Sequence, residues 1–213
     1  MEQTVQKEPV TFTDYLRKTF KHVLDPAAGF LNRIGLMPNT VTVLGLLGNF
    51  IGAYFLAVGS ITVGGIIILL MGPIDALDGT MARLRGQPTV FGAFVDSVTD
   101  RYSELVIFGG LLIHFLLTGN VGGSALVYLA AAGSILVSYI RARAQSVGYD
   151  TKIGILSRVE RFLVLVPCLI FNIPIVALWI MAILTNVTAI QRIWHVRKQY
   201  YERVASANKL EEK

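Results

Sequence analysis

The chain has 213 residues, of which 54% are hydrophobic and 15% are charged, and its formal net charge is +5. Soluble domains carry about a quarter charged residues, so this composition excludes an ordinary soluble protein. The single cysteine excludes an internal disulfide. The excess of positive charge indicates an anionic partner, for which we expect membrane lipids and no nucleic acid.

The N-terminal region changes from polar to amphipathic. Residues 1–10 are polar, and we expect them to be disordered and to lack a signal peptide. Residues 11–35 place apolar and basic side chains on opposite helical faces, namely Leu16, Phe20, Val23 and Leu24 against Arg17, Lys18, Lys21 and His22. Thr13 or Asp14 is the expected N-cap. This pattern is typical of a helix in the membrane interface, and a helix docked on other protein is the alternative.

Six apolar segments follow, and we predict that each crosses the bilayer. They occupy residues 40–58, 61–83, 92–118, 124–143, 157–171 and 175–195. Asn39 is the expected cap of the first segment, and a charged, helical tail follows the sixth. The sequence thus predicts an all-α integral membrane protein with three parts: an N-terminal tail and amphipathic juxtamembrane helix over 1–36, a six-helix membrane domain over 37–196, and a basic cytoplasmic tail over 197–213.

The distribution of charge predicts how these helices are oriented. Residues 39–74, 105–140 and 162–191 contain no Lys, Arg, Asp or Glu, and each of these windows includes one turn between two segments. The charged residues therefore lie at the opposite ends of the helices. Because basic residues mark the cytoplasmic side, we expect both termini, and any site among the charges, to face the cytoplasm at the plasma membrane.

Four aspartates stand where the second segment ends and the third begins. Their spacing is Asp75-x2-Asp78 and Asp96-x3-Asp100. A carboxylate at membrane depth costs about 2.5–3.5 kcal/mol, so a partner must compensate each one. Residues three or four apart share a helical face, and two antiparallel helices with a short loop bring the two pairs together. Oxygen ligands of this kind select Mg²⁺ or Mn²⁺, and we expect two such ions at the site.

The residues around the aspartates favour a phosphorylated substrate. Gly79 and Ala82 leave space beside the carboxylates, and Arg83 supplies a forked donor suited to phosphate. Paired cations beside such an arginine indicate phosphoryl transfer, in which one carboxylate takes the proton of the attacking hydroxyl. The alternative, which involves no chemistry, is a buried ion-pair network of the aspartates with Arg83 and Arg101.

A second group of residues predicts an anion pocket. Arg141, Arg158 and Arg192 lie at the charged ends of the fourth, fifth and sixth segments, at the membrane level of the aspartates. Their convergence would suit an acceptor that already carries a phosphate. Attraction to anionic lipid is the alternative, and it is the preferred interpretation for three tail residues, Arg197, Lys198 and Arg203.

The motif as a whole, D-x2-D-G-x2-A-R-x8-G-x3-D-x3-D, resembles the signature of the CDP-alcohol phosphotransferases at every fixed position. The resemblance implies that a CDP-linked lipid such as CDP-diacylglycerol donates a phosphatidyl group to an alcohol with release of CMP, in a homodimeric enzyme. It implies that the four aspartates bind two divalent cations and that Asp100 also acts as the base. The positions that match contacts to the CDP-lipid are Asn39, Thr42, Gly79, Ala82, Arg83 and Thr89.

The basic stretch is similar to that of the prokaryotic phosphatidylinositol-phosphate synthases. It reads Ser-Tyr-Ile-Arg-Ala-Arg-Ala over 138–144, Arg-Val-Glu-Arg over 158–161 and Gln-Arg at 191–192. The resemblance implies inositol 1-phosphate as the acceptor, with its phosphate bound by Ser138, Arg141, Arg158, Arg161 and Arg192. Glycerol 3-phosphate or another alcohol is the rival acceptor, and a cation-binding transporter or scaffold is the third hypothesis.

Overall fold

The computed structural model describes residues 12–86, 89–151 and 153–211, and all regular structure in these ranges is helical. The helices are α1 Phe12–Arg33, α2 Pro38–Ala57, α3 Ile61–Leu84, α4 Val90–Leu117, α5 Val121–Ser146, α6 Arg158–Ile170 and α7 Pro174–Glu211. The all-α prediction is confirmed. The disorder expected over 1–10 concerns residues outside the described ranges, and the side chains of Thr13, Asp14, Leu16 and Phe20 also lie outside the description.

The predicted helix positions agree with the structure, with one correction. The largest difference among the first five membrane segments is at α5, predicted over 124–143 and observed at Val121–Ser146. The sixth segment and the charged tail form one helix without a break. The prediction that Asn39 caps α2 is wrong, because the helix begins at Pro38 with Met37 as its N-cap. Proline suits this first position because its φ is fixed and its missing N–H costs no helical hydrogen bond.

Glycines let α2 pack closely against both α3 and α4. At Gly64 of α3, a Cβ would lie 2.8 Å from the carbonyl oxygen of Gly52 on α2. At Gly110 of α4, a Cβ would lie 2.9 Å from the Cα of Ala53 on α2. The backbones therefore contact each other directly, as small residues permit between membrane helices. This packing sets the start of α2 beside the second half of α3, where the first two aspartates lie.

The other helices complete a bundle around one apolar core. α5 packs on α4 and α7, and α6 packs on α3 and α7. The largest buried side chains of this core are Leu56, Ile68, Phe108, Leu111, Leu169, Leu178 and Met181. α1 packs on α3 through a smaller cluster that contains Ala28, Val41 and Met81.

The outer surface of the bundle is apolar, as expected for side chains that face lipid. On α2 the apolar side chains that are at least half exposed are Leu44, Leu47, Phe50, Ile51 and Tyr54. Within the described residues, four helices are long and apolar enough to cross a membrane: α2, α3, α5 and the part of α7 up to Ser206. α4 carries several charges near its start, and α6 has only 13 residues. The chain is a multi-pass membrane protein.

Candidate active site

The first two motif aspartates lie on α3 and face α2. Asp78 is buried, and its Oδ2 accepts a hydrogen bond of 2.5 Å from the Thr42 hydroxyl. Its Oδ1 accepts a hydrogen bond of 2.5 Å from the backbone N–H of Gly79. Asp75 lies one turn earlier, opposite Gly45 of α2, where a Cβ would come within 2.8 Å of its Oδ1. α2 thus accommodates both carboxylates: Thr42 donates a hydrogen bond to Asp78, and Gly45 leaves space for Asp75.

The other two aspartates lie near the start of α4. Asp100 has only 9% of its side chain exposed, and Asp96 lies one turn earlier and is partly buried. The charge of Asp96 acts on each of the other three aspartates. α3 and α4 are consecutive helices joined by a short connection, so the two pairs come side by side as their spacing predicts.

Arg158 joins the aspartates of α3 to those of α4. It is the first residue of α6, and its Nη2 lies 2.8 Å from Asp75 Oδ2 and 2.5 Å from Asp100 Oδ1. Charge-assisted contacts of this length are the strong class of hydrogen bond. A residue of the predicted acceptor pocket therefore meets the predicted metal ligands directly.

Part of the ion-pair network that the sequence left open as an alternative exists in the structure. Besides the contacts of Arg158, Arg101 Nη1 lies 3.5 Å from Asp100 Oδ2 and donates to the Ser97 carbonyl at 2.8 Å. Arg83 donates to the Thr80 hydroxyl on its own helix at 2.8 Å. Two of the four carboxylates, those of Asp75 and Asp100, are thus paired with arginines.

The donor set fits a hard divalent cation. The four side chains supply only oxygen, which suits Mg²⁺ or Mn²⁺. Asp75 and Asp100 already converge on a single positive nitrogen, that of Arg158. Within the described ranges, however, no three acidic, histidine or cysteine side chains form a preformed metal cluster. Binding of one ion by three of the aspartates would therefore require their side chains to reorient.

The residues predicted to contact the CDP-lipid lie at the same end of the bundle as the aspartates. Thr42 binds Asp78, and at Gly79 a Cβ would lie 3.4 Å from Arg83 Nη1. Thr89 caps α4, its hydroxyl accepting a hydrogen bond of 2.9 Å from the Gly92 N–H. The two that remain are Asn39, in the first turn of α2, and Ala82, which is partly buried near the end of α3.

Two of the predicted phosphate-binding arginines have internal partners in the structure. Arg161, with 4% of its side chain exposed, forms a bidentate pair with Glu104 of α4 at 2.7 and 3.2 Å. Arg192 is also buried, and it donates to the backbone carbonyls of Ile153 at 2.9 Å and Val137 at 2.6 Å. Arg161 therefore links α6 to α4, while Arg192 links α7 to α5 and to the loop before α6.

Within the described residues, the two α5 members of the predicted pocket form no hydrogen bond or ion pair with the carboxylates. Arg141 is exposed, and its charge acts on Arg192, as does that of Arg161. Ser138 lines a groove of about 330 Å³ between α4 and α5, together with Arg101. Of the five residues of the predicted pocket, Arg158 is therefore the one that contacts the aspartates in the described structure.

The loop between α5 and α6 lies along one stripe of α7. Residues 188, 192, 199 and 203 share a helical face. The Thr188 hydroxyl accepts from the Leu156 N–H at 3.3 Å, and Gln199 donates to the Asp150 carbonyl at 2.6 Å. Arg203 donates to the Gly148 carbonyl at 2.6 Å and lies 4.2 Å from the ring centre of Tyr149. The charged tail, interpreted from sequence as a lipid anchor, holds the loop that leads to Arg158.

A small, partly open pocket adjoins the carboxylates. It has a volume of about 60 Å³, and the residues that line it include Asp75, Asp100, Arg158, Asn49, Ser103 and Glu104. The Ser103 hydroxyl is buried without a hydrogen-bond partner in the described structure. Sequence reasoning missed Asn49, Ser103, Glu104 and Gly45. The helical period could have identified two of them, because Asn49 lies on the same face of α2 as Thr42 and Glu104 lies on the same face of α4 as Asp100.

Comparison with known proteins gives consistent results. The sequence model of the CDP-alcohol phosphatidyltransferase family matches residues 35–191. The chain is 38% identical over 205 residues to a phosphatidylinositol phosphate synthase of Streptomyces avermitilis, covering 88% of this chain and 83% of that protein. It is 33% identical over 185 residues to an archaetidylinositol phosphate synthase of Pyrococcus horikoshii, covering 86% of this chain and 96% of that protein.

A solved structure agrees in fold. The phosphatidylinositol phosphate synthase of Mycobacterium tuberculosis, crystallised with CDP-DAG bound, superposes with a TM-score of 0.78 at 30% identity, covering 82% of this chain and 94% of that one. The same protein has also been crystallised with manganese and citrate. The match to the family model covers most of the sequence. From its sequence and from these relatives, the chain belongs to the CDP-alcohol phosphatidyltransferase family.

Proposed function

We propose that this membrane enzyme transfers the phosphatidyl group of CDP-diacylglycerol to inositol 1-phosphate and releases CMP. The observation that carries the proposal is the contact of Arg158 with Asp75 and Asp100, which joins a basic pocket to the carboxylates of the family motif. A basic residue at this point suits an acceptor that brings its own phosphate. The names of the relatives from Streptomyces, Pyrococcus and Mycobacterium support the same acceptor.

The aspartates would hold the metal and activate the acceptor. Asp75, Asp78, Asp96 and Asp100 are the proposed ligands of two Mg²⁺ or Mn²⁺ ions, which would neutralise negative charge on the pyrophosphate when bound. Asp100 is the proposed base, taking the proton of the attacking hydroxyl. The acceptor oxygen forms a bond to the phosphorus that carries diacylglycerol. The bond from that phosphorus to the CMP oxygen breaks, and CMP leaves with the electron pair.

The remaining site residues would bind the two substrates. We assign the CDP-lipid to Asn39, Thr42, Gly79, Ala82, Arg83 and Thr89. The acceptor phosphate is assigned to Arg158 and Arg141, with Ser138 at the edge of the pocket. Arg161 and Arg192 would add positive charge to this pocket while their guanidinium groups hold Glu104 and the backbone carbonyls.

The proposal also covers the position of the helices in the membrane. We propose that α4 and α6 also cross the bilayer, which gives six crossings over 37–196, and that α1 lies in the interface. α6 is short for this purpose, since its 13 residues span about 20 Å at 1.5 Å per residue. The positive-inside pattern supports a cytoplasmic site with both termini on that side. Homodimerisation stays a prediction from the family resemblance.

CMP release by the purified full chain tests the function. CDP-diacylglycerol and Mg²⁺ are supplied with one acceptor at a time: inositol 1-phosphate, inositol, glycerol 3-phosphate or serine. We expect turnover with inositol 1-phosphate alone. Turnover with glycerol 3-phosphate instead would keep the chemistry and refute the acceptor, and no turnover with any acceptor would refute the proposal. CDP-archaeol serves as a second donor, because the Pyrococcus relative is an archaetidyl enzyme by name.

A substitution of Arg158 tests the assignment of the acceptor pocket. Loss of a hydrogen bond to a charged group costs about 1.5–3 kcal/mol. We therefore expect Arg158→Ala to raise the KM for inositol 1-phosphate by about tenfold or more, with a much smaller effect on the KM for CDP-diacylglycerol. An equal rise in both values would refute the assignment. Arg143→Ala is the matched control, because Arg143 Nη1 contacts Ser146 on its own helix.

A further inference from the structure

One nitrogen of Arg158 occupies the point where two motif carboxylates meet. Its Nη2 lies 2.8 Å from Asp75 Oδ2 and 2.5 Å from Asp100 Oδ1. A divalent cation held by these same oxygens would bind about 2.0–2.6 Å from each of them. The guanidinium nitrogen and the cation would therefore require the same space, and their like charges would repel each other. Only one of them can use this pair of oxygens at a time.

Arg158 is held less firmly than the arginine one turn further along α6. Its side chain is 45% exposed, whereas that of Arg161 is 4% exposed and has both Glu104 oxygens and the Leu156 carbonyl as partners. Arg158 is also the first residue of α6, where the positive end of the helix dipole disfavours a cation by about 0.3–1 kcal/mol. Within the described residues, the ion pairs of Arg158 are those with Asp75 and Asp100. Arg158 can therefore be displaced without disturbing Arg161.

We propose that Arg158 and a divalent cation compete for the carboxylates of Asp75 and Asp100, and that the arginine displaced by the cation binds the phosphate of the acceptor. The competition follows from the contacts alone, whereas the second step rests on the proposed function. While Nη2 of Arg158 remains on Asp75 and Asp100, those two carboxylates compensate its charge and would repel a phosphate beside it. Cation binding and phosphate binding therefore strengthen each other, and linkage requires the effect to be equal in both directions.

Arg158 would thus bind two partners one after the other. Before the cation binds, its charge compensates two carboxylates that would otherwise be costly at this depth. After the cation binds, the same charge is available to an anionic acceptor. A phosphorylated alcohol would then be bound tightly by the metal-loaded enzyme and weakly by the metal-free enzyme, which orders the two binding steps.

Binding of Mn²⁺ to the full chain in lipid nanodiscs, without any substrate, tests the competition. Free Mn²⁺ is measured by electron paramagnetic resonance for the wild type, Arg158→Ala and Arg158→Gln. Removal of the competitor should lower the Kd for Mn²⁺ by about tenfold. Arg143→Ala should leave this Kd unchanged, since it removes a guanidinium from the end of α5 and touches neither carboxylate. An unchanged or higher Kd in both Arg158 variants would overturn the proposal.

Thermal melting provides a second readout that also reports on folding. The Arg158 variants leave Asp75 without its arginine and leave Asp100 with only the 3.5 Å contact of Arg101, so we expect a lower melting temperature than the wild type in the presence of a chelator. Mn²⁺ should restore most of this loss because the ion replaces the missing charge. A loss of equal size with and without Mn²⁺ would mean that Arg158 is structural, and would count against competition with the cation.

The reciprocal effect tests the release of Arg158 towards a phosphate. Inositol 1-phosphate should lower the Kd for Mn²⁺ of the wild type by about tenfold, while inositol should not. The effect should disappear in Arg158→Ala; if it persists there, the phosphate acts without Arg158 and the second step is refuted. A response to glycerol 3-phosphate equal to that of inositol 1-phosphate would contradict the proposed acceptor and leave the release of Arg158 intact.

Discussion

The aspartate side and the arginine side of the site are built in different ways. The aspartates lie on two consecutive helices, α3 and α4, so the spacing along each helix and one short connection bring them together. The arginines lie on α5, α6 and α7, and their positions depend on contacts between residues far apart in the chain. The Arg158–Asp75 contact spans 83 residues, and the Arg192–Val137 contact spans 55.

The aspartates share one role, whereas the arginines have different partners and therefore different roles. On the aspartate side, the charge of Asp96 acts on each of the other three carboxylates, and all four share one proposed role. On the arginine side, Arg158 faces the carboxylates, Arg161 holds Glu104, and Arg192 holds two backbone carbonyls. A cluster of like residues therefore indicates a common function only where their partners are also alike.

The largest effect is expected on the aspartate side, at the proposed base. Asp100→Asn keeps the size of the side chain but cannot take the proton of the attacking hydroxyl. General base catalysis contributes about 10²–10⁴-fold, so we expect kcat for CMP release to fall by that factor. Binding of CDP-diacylglycerol, measured by calorimetry, should largely remain. Loss of that binding in proportion to kcat would refute the role of base, and Glu202→Gln, which alters a surface pair with Lys198, is the control.

The next effect concerns stability and tests the arginine side. Removing one partner of a buried ion pair costs about 3–5 kcal/mol, and Arg161→Ala should fall near the lower value because Glu104 keeps 17% exposure. We expect a lower melting temperature in detergent than for Arg143→Ala. The paired change Arg161→Met with Glu104→Leu should recover much of the loss, because no charge is then left unpaired.

Arg161 also allows a direct comparison with the sequence-based interpretation. If Arg161 binds the acceptor phosphate and contributes little to the fold, Arg161→Ala will keep the wild-type melting temperature and raise the KM for inositol 1-phosphate. That outcome would contradict the distinction between Arg158, which contacts the aspartates, and Arg161, which stabilises the fold through Glu104.

The sequence predicted the aspartate side better than the arginine side for physical reasons. Helix bounds followed from hydropathy and charge, and the faces of Asp75 with Asp78 and of Asp96 with Asp100 followed from helical periodicity. The pairing of Arg161 with Glu104 could not be predicted, because local spacing says nothing about which distant helices become neighbours. Asn39 was assigned as a cap because of its residue type, but Pro38 begins the helix one residue earlier.

A smaller effect is expected from the close approach of α2 to the aspartates. In Gly45→Ala the new methyl would lie 2.8 Å from Asp75 Oδ1, which must therefore move. Displacing a catalytic group by less than 1 Å should lower kcat by roughly tenfold. Gly109→Ala on α4 is the matched control, since a Cβ there meets nothing within 4 Å. Equal kcat values for both variants would mean that the position of Asp75 is not set by α2.

The smallest effect is expected where α7 holds the loop before Arg158. Arg203→Ala removes a hydrogen bond to Gly148 and the contact with the Tyr149 ring, the latter worth about 0.5–1 kcal/mol at an exposed site. Because the loop leads to Arg158, we expect the KM for inositol 1-phosphate to rise by about threefold while the KM for CDP-diacylglycerol stays constant. Steady-state CMP release with each substrate varied in turn measures both values.

The control for Arg203 separates loop positioning from general attraction to lipid. Arg197 lies on the same helix, 5.6 Å from the ring centre of Tyr201, which is also on α7. Arg197→Ala removes the same charge without releasing the loop and should leave both KM values unchanged. If the two variants raise the KM for inositol 1-phosphate equally, the tail acts through its charge alone, as the sequence-based interpretation of a lipid anchor requires. If only Arg203→Ala raises the KM for inositol 1-phosphate, the end of α7 helps to position the acceptor site through the loop before Arg158.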